Sequence, residues 1–137
     1  MSRREITAYE PSADEVCISI TDPGSPPAGV SPRFLDVLRV CFHDIPSERL
    51  ARASDTQFSE GLASLILGFA SRWSHAARLV VHCEQGQSRS PAVALALCQL
   101  AGQSTQPLEE RFPGWNRRVR AVLARVGESN RTAGLDA

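Results

Sequence analysis

A chain of 137 residues, 42% hydrophobic and 22% charged, has the size and apolar content of one domain with its own core. Fifteen basic residues balance fifteen acidic ones, which excludes bulk charge attraction to nucleic acid or to an anionic membrane and leaves only a local basic pocket open. The four cysteines, Cys17, Cys41, Cys83 and Cys98, form no CxxC pair, so free thiols in a reducing compartment are expected.

The amino-terminal stretch MSRREITAYEPSADE carries basic residues with no apolar run behind them, unlike a signal peptide. The longest apolar stretches, such as Leu62 to Ala70, are too short to cross a bilayer. A cytoplasmic chain with no membrane partner is expected.

The first predicted element is a β-branched strand, Val16–Ile20, stopped by Asp22-Pro23-Gly24. Thr21 to Pro32 is rich in proline and glycine and reads as a turn series. Leu38, Val40 and Phe42 alternate with Arg39 and Cys41, the period of a second strand, which ends at His43-Asp44. After a polar stretch containing Arg49 and Arg52, Ser59–Trp73 places Leu62, Leu65, Ile66 and Phe69 at helical spacing. Arg78–His82 is a short apolar strand. Arg89 to Ala101 is apolar almost all round and predicts a buried central helix, with Pro91 tolerated in its first turn and Gly102 closing it. Gln106–Arg111 fits one or two helical turns, and Pro113-Gly114 break the pattern. Asn116 can cap a last helix with Val119, Val122, Leu123 and Val126 on one face, and a polar, frayed tail is expected from Gly127. Cys17, Cys41 and Cys98 all lie in apolar runs, where a thiol acts as a small core hydrophobe. Strands alternating with helices predict a single α/β domain, its ordered core spanning about residues 6–126.

The chemistry concentrates between the third strand and the central helix, in His82-Cys83-Glu84-Gln85-Gly86-Gln87-Ser88-Arg89-Ser90. A strand running through a polar turn into a helix aims backbone N–H groups and a helix start at one spot, which makes an anion site. Cys83 stands at the strand end, inside that positive field, which favours the thiolate. Arg89 can hold two oxygens of a phosphoryl group with its planar fork. Ser90 supplies a hydroxyl that can donate to the sulfur when sulfur leaves. Gly86 suits a tight curl or a positive φ.

The string HCEQGQSRS resembles the HCxxGxxRS signature of the protein tyrosine phosphatase superfamily, including its dual-specificity branch, and the PAVALAL that follows is similar to the helix start of compact bacterial and phage-type members. The resemblance extends weakly from about Ile6 to Val126. It implies an α/β cysteine-phosphatase fold with a central, mostly parallel sheet flanked by helices. It implies Cys83 as nucleophile, Arg89 as phosphate ligand, Ser90 as the hydroxyl assisting breakdown of a cysteinyl-phosphate, and residues Glu84, Gln85, Gly86, Gln87, Ser88 and Arg89 as the phosphate-binding loop. His82 is then the histidine that organises the loop. Glu84 is expected to point outward and tune substrate choice.

Such a reaction needs an acid for the leaving oxygen. Asp44 and Asp55 both precede the signature. Asp44 is preferred because it follows a strand and so emerges at the same sheet edge as Cys83, and FHDIP is similar to the acid loop of compact relatives. Asp55 is expected to cap or to be solvated. No cofactor and no metal are expected, since arginine and amides supply the positive charge. The expected partner is a phosphorylated protein, on tyrosine or on serine and threonine, or another phosphate monoester, with no nucleic acid. Walls are expected from Asp22–Arg33, Ile45–Thr56 and Phe112–Asn116, with Phe112 and Trp115 as apolar surfaces. The rivals are a rhodanese-like sulfurtransferase carrying sulfur on Cys83 and an idle phosphate-binding adaptor.

Overall fold

The computed structural model describes residues 1–47 and 51–136, the last four of these by backbone alone. Arg49 therefore lies outside the described residues. In chain order the elements are α1 (Arg3–Ala8), β1 (Glu15–Thr21), β2 (Val37–Cys41), α2 (Glu60–Arg72), β3 (Arg78–His82), α3 (Arg89–Leu100), α4 (Gln106–Arg111) and α5 (Arg117–Asp136). None of these helices is long and apolar enough to cross a membrane.

The strands form one parallel sheet in the order β2-β1-β3. Ile18 sits between Leu38 and Val81, and Ser19 between Arg39 and His82. On one face Val16, Ile18, Ile20, Val40 and Val81 pack with Ile66 and Phe69 of α2, Ala92, Val93 and Ala96 of α3, and Val119 and Leu123 of α5. On the other face Cys17 and Val80 meet Ile6 of α1 with Ala28 and Phe34 of the β1–β2 connection. A strand covered on both faces carries apolar side chains at successive positions, and β1 is buried along its whole length. Fully buried side chains such as Ile18, Ile20, Ile66 and Phe69 each contribute about 1.5–3 kcal/mol.

Local chemistry sets the helix ends. Ser2 and Glu5 form a reciprocal capping box at α1, an S-x-x-E pattern present in the sequence but not predicted above. Ser59 caps α2 by accepting from Leu62 N–H. Gly102, at φ +73°, follows the end of α3.

Three expectations are corrected. Cys41 is exposed, not core: Val40 and Phe42 turn into the helical layer, so Cys41 projects from the opposite face of an edge strand, its sulfur 3.3 Å from Thr21 Oγ1. Leu65 is 55% exposed, because Ala63 rather than Leu65 completes the buried face of α2 with Ile66 and Phe69. The last helix does not stop near Val126: α5 continues to Asp136. Gly127 lets that helix pass Leu100 closely (a Cβ there would lie 2.5 Å from Leu100 Cδ1), and Arg131 donates to the Leu100 carbonyl. At the other end, Met1 and Arg3 contact the segment after β3, the Met1 carbonyl accepting from Cys83 N–H and Arg3 N–H donating to the Glu84 carbonyl, each at 3.0 Å.

Candidate active site

Parallel strands bring their carboxyl ends to one edge of the sheet. Asp22 follows β1 there, Phe42 to Asp44 follow β2, and Cys83 follows β3. The segment Cys83 to Ser88 then curls into α3. Gly86 makes the curl possible with φ +74°. A Cβ at Gly86 would lie 2.6 Å from Ser2 N and 2.7 Å from Met1 C, so glycine is required by conformation and by space together.

Cys83 is buried, at 2% exposure, and its sulfur is 3.3 Å from the Gly86 N–H and 3.2 Å from Ser90 Oγ. The Ser90 hydroxyl also reaches the Met1 carbonyl at 3.4 Å. It therefore stands between two acceptors: it can donate to the carbonyl beside a thiol and turn to the sulfur when that sulfur is anionic. The Met1 carbonyl additionally accepts from Cys83 N–H at 3.0 Å.

Arg89 is buried at the start of α3. Its Nη1 donates to Asp22 Oδ1 and to the Phe42 carbonyl, each at 2.7 Å, and its guanidinium lies 6.0 Å from the Phe42 ring centroid. The Nε atom is buried without a hydrogen-bond partner. A buried guanidinium fixed at one nitrogen, with a second donor unsatisfied, is suited to an incoming oxyanion.

Asp44 follows the end of β2 and contacts the loop at Ser88. Its Oδ1 accepts from Ser88 Oγ at 2.8 Å and from Asn116 Nδ2 at 2.7 Å. His43 backbone N–H donates to the Thr56 carbonyl and His43 Nδ1 accepts from Thr56 N–H, which fixes the backbone beside Asp44. Ser88 occupies the N-cap position of α3 yet makes no capping bond, since its hydroxyl is committed to Asp44. The first-turn N–H groups of α3 consequently keep their orientation toward the loop without a side-chain cap. Asp55 does something else: its carboxylate accepts from Arg52 N–H at 2.7 Å within a local turn.

His82 is fully buried. Its Nδ1 lies 3.2 Å from the Cys83 carbonyl and its Nε2 2.6 Å from Ser19 Oγ. A carbonyl can only accept, so Nδ1 carries the proton and Nε2 accepts from the serine. Burial pushes the ring's pKa below its ordinary value, partly opposed by the Cys83 backbone contact, and the neutral ring braces the loop from behind. Cys17 is a different thiol: burial raises it to about 12, which keeps it protonated and inert.

Glu84 does not stand free at the rim. It pairs with Arg3 at 3.0 Å. Gln85 and Gln87 are exposed. Of the expected walls, the first reaches the site through Asp22 on Arg89. The third reaches it through Gly114, 3.8 Å (measured from an ideal Cβ) from the Gln87 carbonyl, and Asn116, whose N–H donates to the Ser88 carbonyl at 3.0 Å. Trp115 packs partly into the core, and the guanidinium carbons of Arg117 and Arg120 lie 4.8 and 5.3 Å from its ring centroid. Arg111 stacks on Phe112. Arg52 stays exposed. Among the described residues no group of three or more His, Cys, Asp or Glu is gathered as a metal site would need.

Three participants were not singled out from sequence: Asp22, Arg3, and Asn116 in its contact with Asp44. Asp22 had a usable signal, because a parallel sheet places every strand end at one edge. Asn116 was legible only as a helix cap, a role it also fills by accepting from Val119 N–H at 2.9 Å.

No protein-family model matches this chain, and no curated protein matches it significantly. Solved structures do resemble it. Tk-PTP in its active form is 22% identical, with 93% of this chain and 86% of that one covered at a TM-score of 0.57. Human DUSP28 is 19% identical, covering 86% and 80% at 0.55. The human tyrosine phosphatase-like serine/threonine/tyrosine-interacting protein is 17% identical, covering 88% and 78% at 0.52. Identities this low speak for architecture alone. The chain shares the single-domain α/β fold of these structures, a parallel sheet flanked by helices.

Proposed function

We propose that this chain hydrolyses phosphate monoesters through a cysteinyl-phosphate formed on Cys83. The observation that carries the reading is Arg89: buried at the helix start that follows the Cys83 loop, anchored through Nη1 to Asp22 and the Phe42 carbonyl, and left with a buried Nε that has no hydrogen-bond partner.

In this reading the Cys83 thiolate attacks phosphorus in line. Arg89 and the loop amides from Glu84 to Arg89 hold the non-bridging oxygens, a preorganised electrostatic site. Protonated Asp44 gives its proton to the leaving alkoxide or phenoxide as the P–O bond breaks. Water then attacks phosphorus, forming an O–P bond as the S–P bond breaks. The Asp44 carboxylate takes the water's proton, and Ser90 donates to the departing sulfur. The hydrogen bonds from Ser88 and Asn116 aim Asp44 for both steps. His82 supports the Cys83 carbonyl and moves no proton.

The substrate class within this reading is phosphotyrosine or phosphoserine and phosphothreonine in proteins, acted on in the cytoplasm. The PAVALAL helix start that follows the signature, which resembles that of compact members, supports a place among the compact dual-specificity-like members. One of the similar structures is itself described as phosphatase-like and interacting, so architecture alone does not imply turnover, and the idle adaptor is the second reading to test.

The deciding experiment compares p-nitrophenyl phosphate with thiosulfate and cyanide. Phosphate release that disappears in Cys83→Ser, with vanadate binding retained, is expected. Thiosulfate turnover without phosphate release would replace the reading with sulfur transfer, and vanadate binding without turnover would replace it with the adaptor.

A further inference from the structure

We propose that Arg3 is a positioning residue for the phosphate-binding loop: it compensates Glu84, next to the nucleophile, and straps the loop to the turn that carries Asp22. The proposal rests on the phosphatase reading and deepens it.

Arg3 joins three segments. Its Nη1 donates to Glu84 Oε1 at 3.0 Å and to Ser25 Oγ at 3.4 Å, and its Nη2 donates to the carbonyls of Pro26 and Pro27 at 2.8 and 3.1 Å. Its backbone N–H donates to the Glu84 carbonyl at 3.0 Å. Ser25 belongs to the same tight turn as Asp22, whose carbonyl accepts from Ser25 N–H at 3.0 Å. Asp22 in turn holds Arg89. The contacts close a ring that runs from Glu84 through Arg3, the Asp22–Ser25 turn and Arg89 back into the loop. Both ends of the loop are thus tied to one fixed turn.

The ring has an electrostatic side. Glu84 follows the nucleophile directly, and an uncompensated carboxylate there would repel an arriving phosphate dianion. The Arg3–Glu84 pair is about three-quarters buried, with 28% and 25% side-chain exposure, so solvent screens it less than an open surface pair. Four acceptors lying in two directions suit a planar guanidinium. A lysine ammonium is a point charge and cannot span them.

The test uses the full chain and measures kcat, KM and vanadate inhibition for wild type, Arg3→Met, Arg3→Lys, Glu84→Gln and the double variant, with thermal melting as a control. Arg3→Met is expected to lose about tenfold in kcat/KM and to weaken vanadate similarly, because small misplacements of oxyanion ligands are costly. Adding Glu84→Gln to Arg3→Met is expected to recover part of that loss, since the repelling charge goes with it. Arg3→Lys, which keeps the charge and loses the fork, is the milder variant should Arg3→Met melt early, with an expected loss of about threefold. Wild-type kinetics in both Arg3 variants, or losses that simply multiply in the double variant, would overturn the strap. A wild-type protein that neither turns over p-nitrophenyl phosphate nor binds vanadate would overturn the phosphatase reading instead, before any variant is compared.

Discussion

Asp22 Oδ1 lies 2.7 Å from Arg89 Nη1, an ion pair that joins the end of β1 to the first residue of α3. The arginine is 6% exposed and the aspartate 48%, so the pair is anchored on its buried side. Asp22→Asn keeps the shape and removes the charge. Arg89 retains the Phe42 carbonyl, so the stability loss is expected to be about 1–2 kcal/mol, below that of a fully buried pair. Activity should suffer more, by about tenfold to a hundredfold in kcat/KM, because an oxyanion ligand loses its alignment. Paired denaturation and steady-state kinetics check this; unchanged kcat/KM would show that the Phe42 carbonyl alone aligns Arg89.

The two candidate acids separate by leaving group. Asp44→Asn is expected to slow alkyl phosphates by about 10²–10⁴-fold and to affect p-nitrophenyl phosphate far less, since that phenoxide leaves without help. Asp55→Asn touches only the turn at Arg52 and should stay within about twofold on both substrates. A Brønsted series against leaving-group pKa is the measurement. A steep slope appearing in the Asp55 variant and not in the Asp44 variant would reverse the assignment.

Gly86 tests the loop's backbone. Alanine would meet both the positive φ and the Ser2 amide, 2.6 Å from an ideal Cβ. Strain of this kind costs about 1–3 kcal/mol, before the amino-terminal segment moves aside. Gly86→Ala is expected to lower the denaturation midpoint and to abolish vanadate binding, whereas Gly24→Ala, equally left-handed but in open space, should only destabilise.

His82 predicts an acid-sensitive fold. The unfolded histidine takes up a proton near its ordinary 6.5, and the buried ring does so only at lower pH. Below about 6.5 the unfolded state binds more protons, so the stabilisation is whole above that value and is lost progressively as pH falls toward the folded pKa. The limiting slope is about 1.4 kcal/mol per pH unit. Chemical denaturation between pH 5 and 7.5 should show the slope in wild type and lose it in His82→Gln. A flat wild-type profile would mean that the ring is accessible to protons.

The loop was legible in the sequence because its working parts are contiguous. Nine residues carry the nucleophile, the glycine, the arginine and the serine, bracketed by a strand and a helix whose periodicities differ. Asp44 was legible one step further, through the rule that parallel strands end at a common edge. Asp22 obeys the same rule, but Asp-Pro-Gly also reads as an ordinary turn, and nothing local announces a partner 67 positions away. Arg3 and Glu84 are 81 apart, and only the folded chain puts them together. The strands, α2, α3 and the first half of α5 followed from their apolar spacing, whereas the polar second half of α5 carried no such signal. Cys41 was misread from its apolar neighbours, although the alternation that sets it with Arg39 against Leu38, Val40 and Phe42 already puts it on the other face, which the edge position of β2 leaves exposed.

The unused cap on α3 bears on whether the motif could work elsewhere. Ser88 gives its hydroxyl to Asp44 rather than to the helix, and Arg89 takes its posture from Asp22 and Phe42. A peptide spanning β3 and α3 would therefore carry the full signature and still lack a wound first turn, an aimed guanidinium and a braced carbonyl at Cys83. Grafting HCEQGQSRS onto another strand and helix would transplant the letters without the anion site. The signature is portable as text, and the site belongs to the whole domain.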